Sequence, residues 1–477
     1  MISLTNTKNS FIIMKFGGSC LQDVRSFTQT SEIIKKHIKK SRLILVTSAM
    51  KGITDELINF YRKSCSEDLD CDMLLQNIKI SHRNVIENLI DSSSIEYKKA
   101  IDFLRKNIDE LGQLGQVIRL IRPSDEIQDL IISYGEKLST FILTQFLNHK
   151  GIKSKYFASN ELILTDDNFG NALPLLDETE NQVSKKLVPL LNSDPDLIAC
   201  ITGFFASTKE DKKITTLGRG GTDLTAAVIA YSLRNNYNTK VIYWKDVKGL
   251  LDADPRIAKK TSLLKQISYV EAKELAFFGT KVLHPLCLDV NEKGNVPSEI
   301  RSFEEPYSDE FTTITKEIIK DEKAIKAITS LYKLSIVTLE GDTMIPLSGT
   351  ASKLFSLLGE NNIDVVFISQ SSSENNLTFG INYDDSKRVS FLLRNSEFFG
   401  KNWFRVKINN DISLVAVIGA GVLYTPGIAG KVFTTLGENN INILAIAQGS
   451  SELNFTAIIE RKDCEKAINV LYDAFIG

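Results

Sequence analysis

A chain of 477 residues exceeds what one hydrophobic core usually serves, so two or three domains are expected. With 43% hydrophobic and 24% charged residues it has the composition of a folded globular protein, and a formal net charge of -2 excludes any general attraction for nucleic acid or an anionic membrane. No apolar run reaches the ~18 residues of a spanning helix, and the residues before Phe11 lack the apolar core of a signal peptide, so a cytoplasmic protein is expected.

In chain order, residues 11–14 form a short apolar run that stops at Lys15-Phe16-Gly17-Gly18-Ser19, and 23–38 follow with helical spacing. Residues 43–47 are a second apolar run, entering Ser48-Ala49-Met50-Lys51-Gly52-Ile53-Thr54 before another helical stretch from Asp55. Strand, glycine-bearing polar turn and helix, repeated, predict an α/β architecture with a largely parallel sheet, whose ligands sit at the carboxyl ends of the strands. Residues 69–120 read as a polar helical insertion or flank. Pro123 opens a helix that carries Gly135-Glu136-Lys137-Leu138-Ser139 and ends near Gly151, and 197–205 and 241–244 read as buried strands. A helix over 269–277 leads into Phe278-Gly279-Thr280-Lys281-Val282-Leu283-His284-Pro285, and the β-α rhythm extends to about Phe303.

Between those strands lies the most informative segment, residues 214–225 (ITTLGRGGTDLT). Gly218, Gly220 and Gly221 permit positive φ and close approach of backbone N–H groups to a ligand. Thr222 or Asp223 is placed to cap a helix over 224–233. Arg219 adds a planar fork suited to a carboxylate or phosphate, so an anionic small molecule is the expected guest.

Lys15 places a cation just past a strand, beside two glycines whose N–H groups can approach phosphate oxygens, although the Walker spacing is absent. Lys281 is a second candidate cation. The turns at Trp244-Lys245-Asp246 and Asp252-Ala253-Asp254-Pro255-Arg256 offer acids and an arginine for a nucleotide, and serve equally well as plain turns. His284 before Pro285 reads as structural. The six cysteines are scattered, without CxxC pairs or histidines at zinc spacing, so free thiols and no structural metal are expected. Two lysines, glycine N–H donors and an aspartate suit phosphoryl transfer, in which the protein positions reactants and neutralises charge. A carboxylate acceptor is already ionised at neutral pH and needs no general base.

After residue 320 an internal repeat appears. Residues 349–374 (GTASKLFSLLGENNIDVVFISQSSSE) recur as 427–452 (GIAGKVFTTLGENNINILAIAQGSSE), aligning Gln370 with Gln448. A tandem βαββαβ module is predicted, either as a binding pair or as a purely architectural duplication.

The ordered motifs KFGGS, SAMKGITD, GEKLS, TTLGRGGTD, WKDVKG, DADPR and FGTKVLHP resemble those of the aspartate kinases of the amino acid kinase superfamily. The resemblance covers nearly the whole chain, since that family also carries a C-terminal pair of ACT modules. It implies an amino acid kinase domain over 1–318 and two α+β ferredoxin-like ACT domains over 325–400 and 408–477, with an exchange of strands between them left open. The segments ISQSSSE and IAQGSSE most resemble the threonine-sensitive branch, including the kinase half of bifunctional aspartate kinase–homoserine dehydrogenases, although the sequence stops at Gly477 with no dehydrogenase following.

The resemblance implies that Lys15 contacts the transferring phosphoryl group while Gly17, Gly18 and Ser19 line the phosphate path. Glu136 is expected to receive the substrate ammonium, Arg219 its α-carboxylate, and Thr54 and Thr222 to add hydroxyl contacts. Asp223 orients the catalytic lysines, and Asp246, Arg256 and Lys281 serve ATP, with Mg²⁺ bound with the nucleotide. The implied reaction gives 4-phospho-L-aspartate from L-aspartate, under feedback by threonine or, second, lysine near Gln370 and Gln448, in a homodimer or homotetramer joined through the ACT modules. Cys20, Thr222 and Lys245 stand where the family usually has serine or threonine, serine, and threonine. A kinase for another acidic amino acid or a nucleoside monophosphate, and a catalytically dead effector-binding partner, are the competing readings.

Overall fold

Parallel strands covered on both faces read as continuous apolar runs, and the first strand, β1 (Ser10–Phe16, SFIIMKF), does so until Lys15. It opens a computed structural model that describes residues 10–66, 71–278, 282–318, 324–341, 349–370, 376–400, 404–447 and 453–477. The chain divides into two units, one within Met1–Leu250, Lys265–Tyr269 and Lys281–Glu317, the other within Leu251–Leu264, Val270–Thr280 and Ile318–Gly477.

In the first unit β1 is followed by α1 (Val24–His37), β2 (Arg42–Thr47), α2 (Ile53–Cys65), α3 (Cys71–Leu89), α4 (Ile95–Ile118) and α5 (Asp125–His149). Next come β3 (Ser154–Phe157), β4 (Leu164–Thr165), α6 (Leu176–Lys186), α7 (Val188–Ser193), β5 (Ile198–Thr202), β6 (Phe205–Thr208) and β7 (Ile214–Thr216). Then α8 (Gly221–Leu233), β8 (Asn238–Lys245), β9 (Gln266–Ser268), α9 (Tyr269–Phe277), which runs into the second unit, α10 (Pro285–Gly294), β10 (Ser298–Ser302) and β11 (Thr312–Thr315) complete it.

Among the described residues an eight-stranded sheet has the order β3-β5-β2-β1-β8-β10-β11-β9. Its pairs are parallel except β10 with β11. Side chains alternate across a strand, so β1 and β8 feed two cores. Phe16 and Trp244 stack at 6.2 Å between centroids and join Leu21, Phe27, Leu138 and Ile142 in one of them. The opposite face carries α8, buried at almost every position from Gly221 to Leu233, as expected of a helix apolar all round. The polar stretch after Leu69 is a pair of long helices, α3 and α4, packed on α2 and α5 through one continuous core that includes Ile78, Leu104 and Leu111. It is a helical flank of the sheet.

The second unit holds β12 (Ala327–Gly341), α11 (Thr350–Glu360), β13 (Val365–Gln370), β14 (Asn376–Asn382), α12 (Ser386–Asn395), β15 (Phe404–Ile418), α13 (Gly421–Tyr424), α14 (Ile428–Glu438), β16 (Ile443–Ala447), β17 (Asn454–Glu460) and α15 (Cys464–Phe475). Its antiparallel sheet has the order β13-β14-β12-β15-β17-β16. The two long strands β12 and β15 pair from Ala327 with Ile418 to Gly341 with Phe404, with a register irregularity around Leu334. The β14 strand adds to the later part of β12, and β17 to the later part of β15. One apolar core therefore takes Val337 and Leu339 of β12 with Leu354, Phe379 and Val389, while the other takes Ile328 of the same strand with Val415, Val432, Ile459 and Leu471. Each module uses a segment of both long strands. The repeat is visible in the backbone: Gly349 and Gly427 start α11 and α14 at φ 84° and 90°, and Asn362 and Asn440 hold φ 52° and 58° after them.

Candidate active site

The carboxyl ends of β1, β2 and β8 and the start of α8 bring the charged groups of the first unit together. In the parallel register Lys15 faces Tyr243 and Phe16 faces Trp244. Since Phe16 and Trp244 enter the core on one face, Lys15, Tyr243 and Lys245 belong to the other, where α8 presents Asp223. The Lys15 ammonium lies 2.8 Å from Asp223 Oδ1, and Lys245 Nζ donates to Asp223 Oδ2 at 2.7 Å. All three are largely buried, with side-chain exposures of 7%, 6% and 17% for Lys15, Asp223 and Lys245. Burial pushes the Asp223 carboxyl up, but the two lysines outweigh it and hold the group below its ordinary range. Burial, reinforced by the Lys245 charge, holds Lys15 below its ordinary range despite Asp223. For Lys245 burial acts downward too, yet Asp223 wins and the ammonium is held above.

The sequence expectation for Lys245 is thereby corrected. It is the last residue of β8 and an ion-pair partner of Asp223, and so belongs to the strand and not to the turn that follows. The helix-start expectation is also corrected. Gly220 occupies the N-cap, and Thr222 and Asp223 fall inside α8, their side chains turned to Ser48 and the lysines instead of the helix end. Of the three glycines, Gly218 and Gly220 have positive φ, 67° and 73°, whereas Gly221 is helical. A Cβ on Gly220 would stand 2.5 Å from the Cβ of His284, which caps α10 by accepting from the Leu286 N–H.

Glu136 lies on α5, 3% exposed, and its Oε2 is buried with no hydrogen-bond partner. Burial pushes its carboxyl up to about 8, against the Ala49 N–H. Gly135 beside it permits close packing, since a Cβ there would come within 2.8 Å of the Ala49 Cβ. One turn on, the Ser139 hydroxyl donates to Ser48 O at 2.6 Å, and the Ser48 hydroxyl donates to Thr222 Oγ1 at 2.7 Å. A polar chain thus joins the helix of Glu136 to the helix of Asp223.

Earlier on α5, Asp129 accepts from the Thr216 N–H and the Gly170 N–H at 2.8 Å each and from the Thr216 hydroxyl at 2.7 Å. It anchors β7, from which the loop bearing Arg219 departs. Sequence reasoning did not single out Asp129 or the Ser48–Ser139 link. The signal for Asp129 was an acid inside the apolar run IQDLIISYG, a placement that burial makes costly unless hydrogen bonds offset it.

The remaining expected residues divide. Gly17 is buried, two residues after Lys15, where a Cβ would stand 3.0 Å from the Lys15 amine; Gly18 starts a short 3₁₀ turn and Ser19 is exposed. Arg219 is exposed on its loop, Thr54 is half-buried in the first turn of α2, and Asp246 is exposed after β8. Arg256 falls in the second unit, its guanidinium bound to Asp254, while buried Asp252 is bound to Tyr472 of α15 and the Ser262 N–H. Asp252 is accordingly occupied in a structural tie and not a free nucleotide ligand. Gln370 ends β13. Lys281 and Gln448 lie outside the described residues, as does the side chain of Gln370.

The chain is 30% identical over 472 residues to the bifunctional aspartokinase/homoserine dehydrogenase of Buchnera aphidicola, covering 97% of this chain and 56% of that protein. It spans about half the length of the curated plant relatives of the same description. The crystal structure of E. coli aspartokinase III in complex with lysine and aspartate (T-state) is similar at 25% identity, with a TM-score of 0.80 over 98% of this chain and 100% of that one. The same enzyme in complex with aspartate and ADP (R-state) gives 24% identity, a TM-score of 0.79 and coverage of 98% and 100%, a likeness of fold. A model of the ACT domain matches residues 337–394 and 415–475, and the amino acid kinase family model matches residues 10–302, so the chain belongs to the amino acid kinase family.

Proposed function

We propose that this chain is an aspartate kinase that transfers the γ-phosphoryl group of ATP to the β-carboxylate of L-aspartate, giving 4-phospho-L-aspartate and ADP. The observation that carries the reading is the buried Glu136 carboxyl, whose Oε2 has no partner, on a helix that Ser139 and Ser48 tie to Thr222, the neighbour of Asp223. A buried acid of this kind calls for a cation, and an amino acid's ammonium supplies one. Arg219 takes the α-carboxylate, Thr54 and Thr222 add hydroxyls, and the β-carboxylate is left toward the lysines. One of its oxygens attacks the γ-phosphorus as the bond to the β-phosphate oxygen breaks and ADP departs. The acceptor is already ionised, so no base is needed. Lys15 neutralises charge on the moving group, and Asp223 orients it.

The nucleotide runs past Gly17, Gly18 and Ser19, with Asp246 and Lys281 serving it. Mg²⁺ arrives with ATP, since phosphate oxygens and water are the ligands it prefers. Bound there, it would offset charge on the phosphates.

The catalytic domain is assigned to residues 1–318 and the ACT modules to 325–400 and 408–477. The modules bind an amino-acid effector at segments that include Gln370 and Gln448, threonine first and lysine second, and join copies into a homodimer or homotetramer. Among the described residues no helix is long and apolar enough to cross a membrane, and we place the protein in the cytoplasm.

A coupled assay of ADP release over L-aspartate, L-glutamate and nucleoside monophosphates tests the reading. Aspartate-dependent turnover is expected; turnover with glutamate alone would replace the substrate, and tight threonine binding without turnover would make the chain an effector-binding partner.

A further inference from the structure

The Asp223 cluster contains one acid and two bases. Asp223 is the only acid paired with either Lys15 or Lys245 among the described residues, so the buried trio keeps one positive charge. An uncompensated charge at this depth is expensive unless an anion completes it. The two ammonium groups also converge by construction. Lys15 is the penultimate residue of β1, opposite Tyr243, and Lys245 stands two residues beyond Tyr243 on the same face of the neighbouring strand. Each uses a different oxygen of Asp223, which fixes the pair as a fork of two cations over one carboxylate.

We propose that Lys245 is a further phosphate-contacting residue, forming with Lys15 a two-lysine clamp on the terminal phosphoryl group of ATP, with Asp223 setting the spacing. This rests on the reading of the chain as an ATP-dependent kinase and assigns a role to a residue that departs from the threonine usual at that place in the motif WKDVKG. The clamp adds positive charge where the γ-phosphate sits and where charge shifts during transfer, so it acts on ATP more than on ADP. Lys245 differs in this from a purely structural partner of Asp223. A structural partner would alter both nucleotides alike.

The test is calorimetric titration of the full chain with MgATP and MgADP, alongside steady-state kinetics, for the wild type, Lys245→Met and Lys245→Arg. Lys245→Met is expected to weaken ATP about tenfold or more and ADP less than about threefold, and to lower kcat with the KM for aspartate within about twofold. Lys245→Arg keeps the charge and is expected to restore much of the ATP preference. Thermal unfolding checks each fold, and Lys245→Thr is the neutral replacement should the methionine variant not fold. Equal losses for ATP and ADP, or no loss for either, would overturn the clamp. Should the wild type bind ATP through Lys245 in this way yet show no aspartate-dependent turnover, the substrate reading fails and the clamp stands.

Discussion

Asp129 and Thr216 are joined twice, the carboxylate accepting from both the N–H and the hydroxyl of the same residue at 2.8 and 2.7 Å. Two turns further along α5 stands Glu136, so one helix both carries the proposed ammonium site and fastens the strand that leads to Arg219. The two ends of an amino-acid clamp are held by one rigid element. Asp129→Asn replaces an acceptor with an amide donor facing Thr216 or Gly170, and is expected to cost about 1–3 kcal/mol of stability. The KM for aspartate should rise more than kcat falls. A variant with unchanged melting temperature and KM would show the anchor to be dispensable.

Glu136 makes a pH prediction whose sign follows from its carboxyl, pushed up to about 8 by burial. A folded-state value above the unfolded one means that the folded protein binds more protons between the two. The group's contribution to stability is therefore complete below the ordinary carboxylate range and is lost as pH rises toward about 8. Glu136→Gln does not titrate, so its melting temperature relative to wild type should climb from pH 5 to pH 8, while aspartate binding is lost. A difference that stays flat with pH would refute the assignment of the shift to this residue.

Removing Asp223 leaves two buried ammonium groups facing each other. Asp223→Asn is expected to destabilise the fold by about 3–5 kcal/mol, the range for breaking a buried pair. In a variant that still melts cooperatively, kcat should fall at least ~100-fold. Retained wild-type turnover would exclude Asp223 from the reaction.

The Gly220→Ala change tests the loop geometry, because its φ of 73° disfavours any side chain and the added Cβ would meet His284 at 2.5 Å. The loss should exceed about 1 kcal/mol, measured by chemical denaturation, with a raised KM for aspartate because Arg219 is displaced. A neutral outcome would mean that the loop relaxes freely.

For the ACT modules, threonine at a hundred times its dissociation constant should stabilise the protein by about 2.7 kcal/mol and inhibit turnover. If threonine is silent and lysine raises the melting temperature, the effector is lysine. If neither acts, Gln370 and Gln448 do not belong to an effector site.

The architecture was legible because it follows from local rules. Apolar runs ending in glycine-bearing turns gave the parallel sheet, the helix over 269–277 was read with the bounds of α9, and the GENNI repeat marked two equivalent modules with left-handed Asn362 and Asn440. Residue type at a strand end named Lys15, the glycine-rich segment before α8 named Asp223, and the family resemblance named Glu136. Local rules failed at the start of α8, where Asp223 was a natural cap by composition. Its carboxylate instead serves two lysines, an interaction with partners far away in sequence.

By itself, then, the sequence determined the fold class, the repeat and the candidate charges, because periodicity and turn chemistry act between near neighbours. Only the tertiary structure decided which charges meet. The register of β1 on β8 sets Lys15 and Lys245 on one face, and the packing of α8 beneath them makes one aspartate answer to both. Likewise, the bonds from Asp129 to Thr216 join elements 87 residues apart, and the sharing of β12 and β15 between two cores depends on pairing across the whole sheet. Such relations depend on long-range packing and desolvation, which no local pattern of residues encodes.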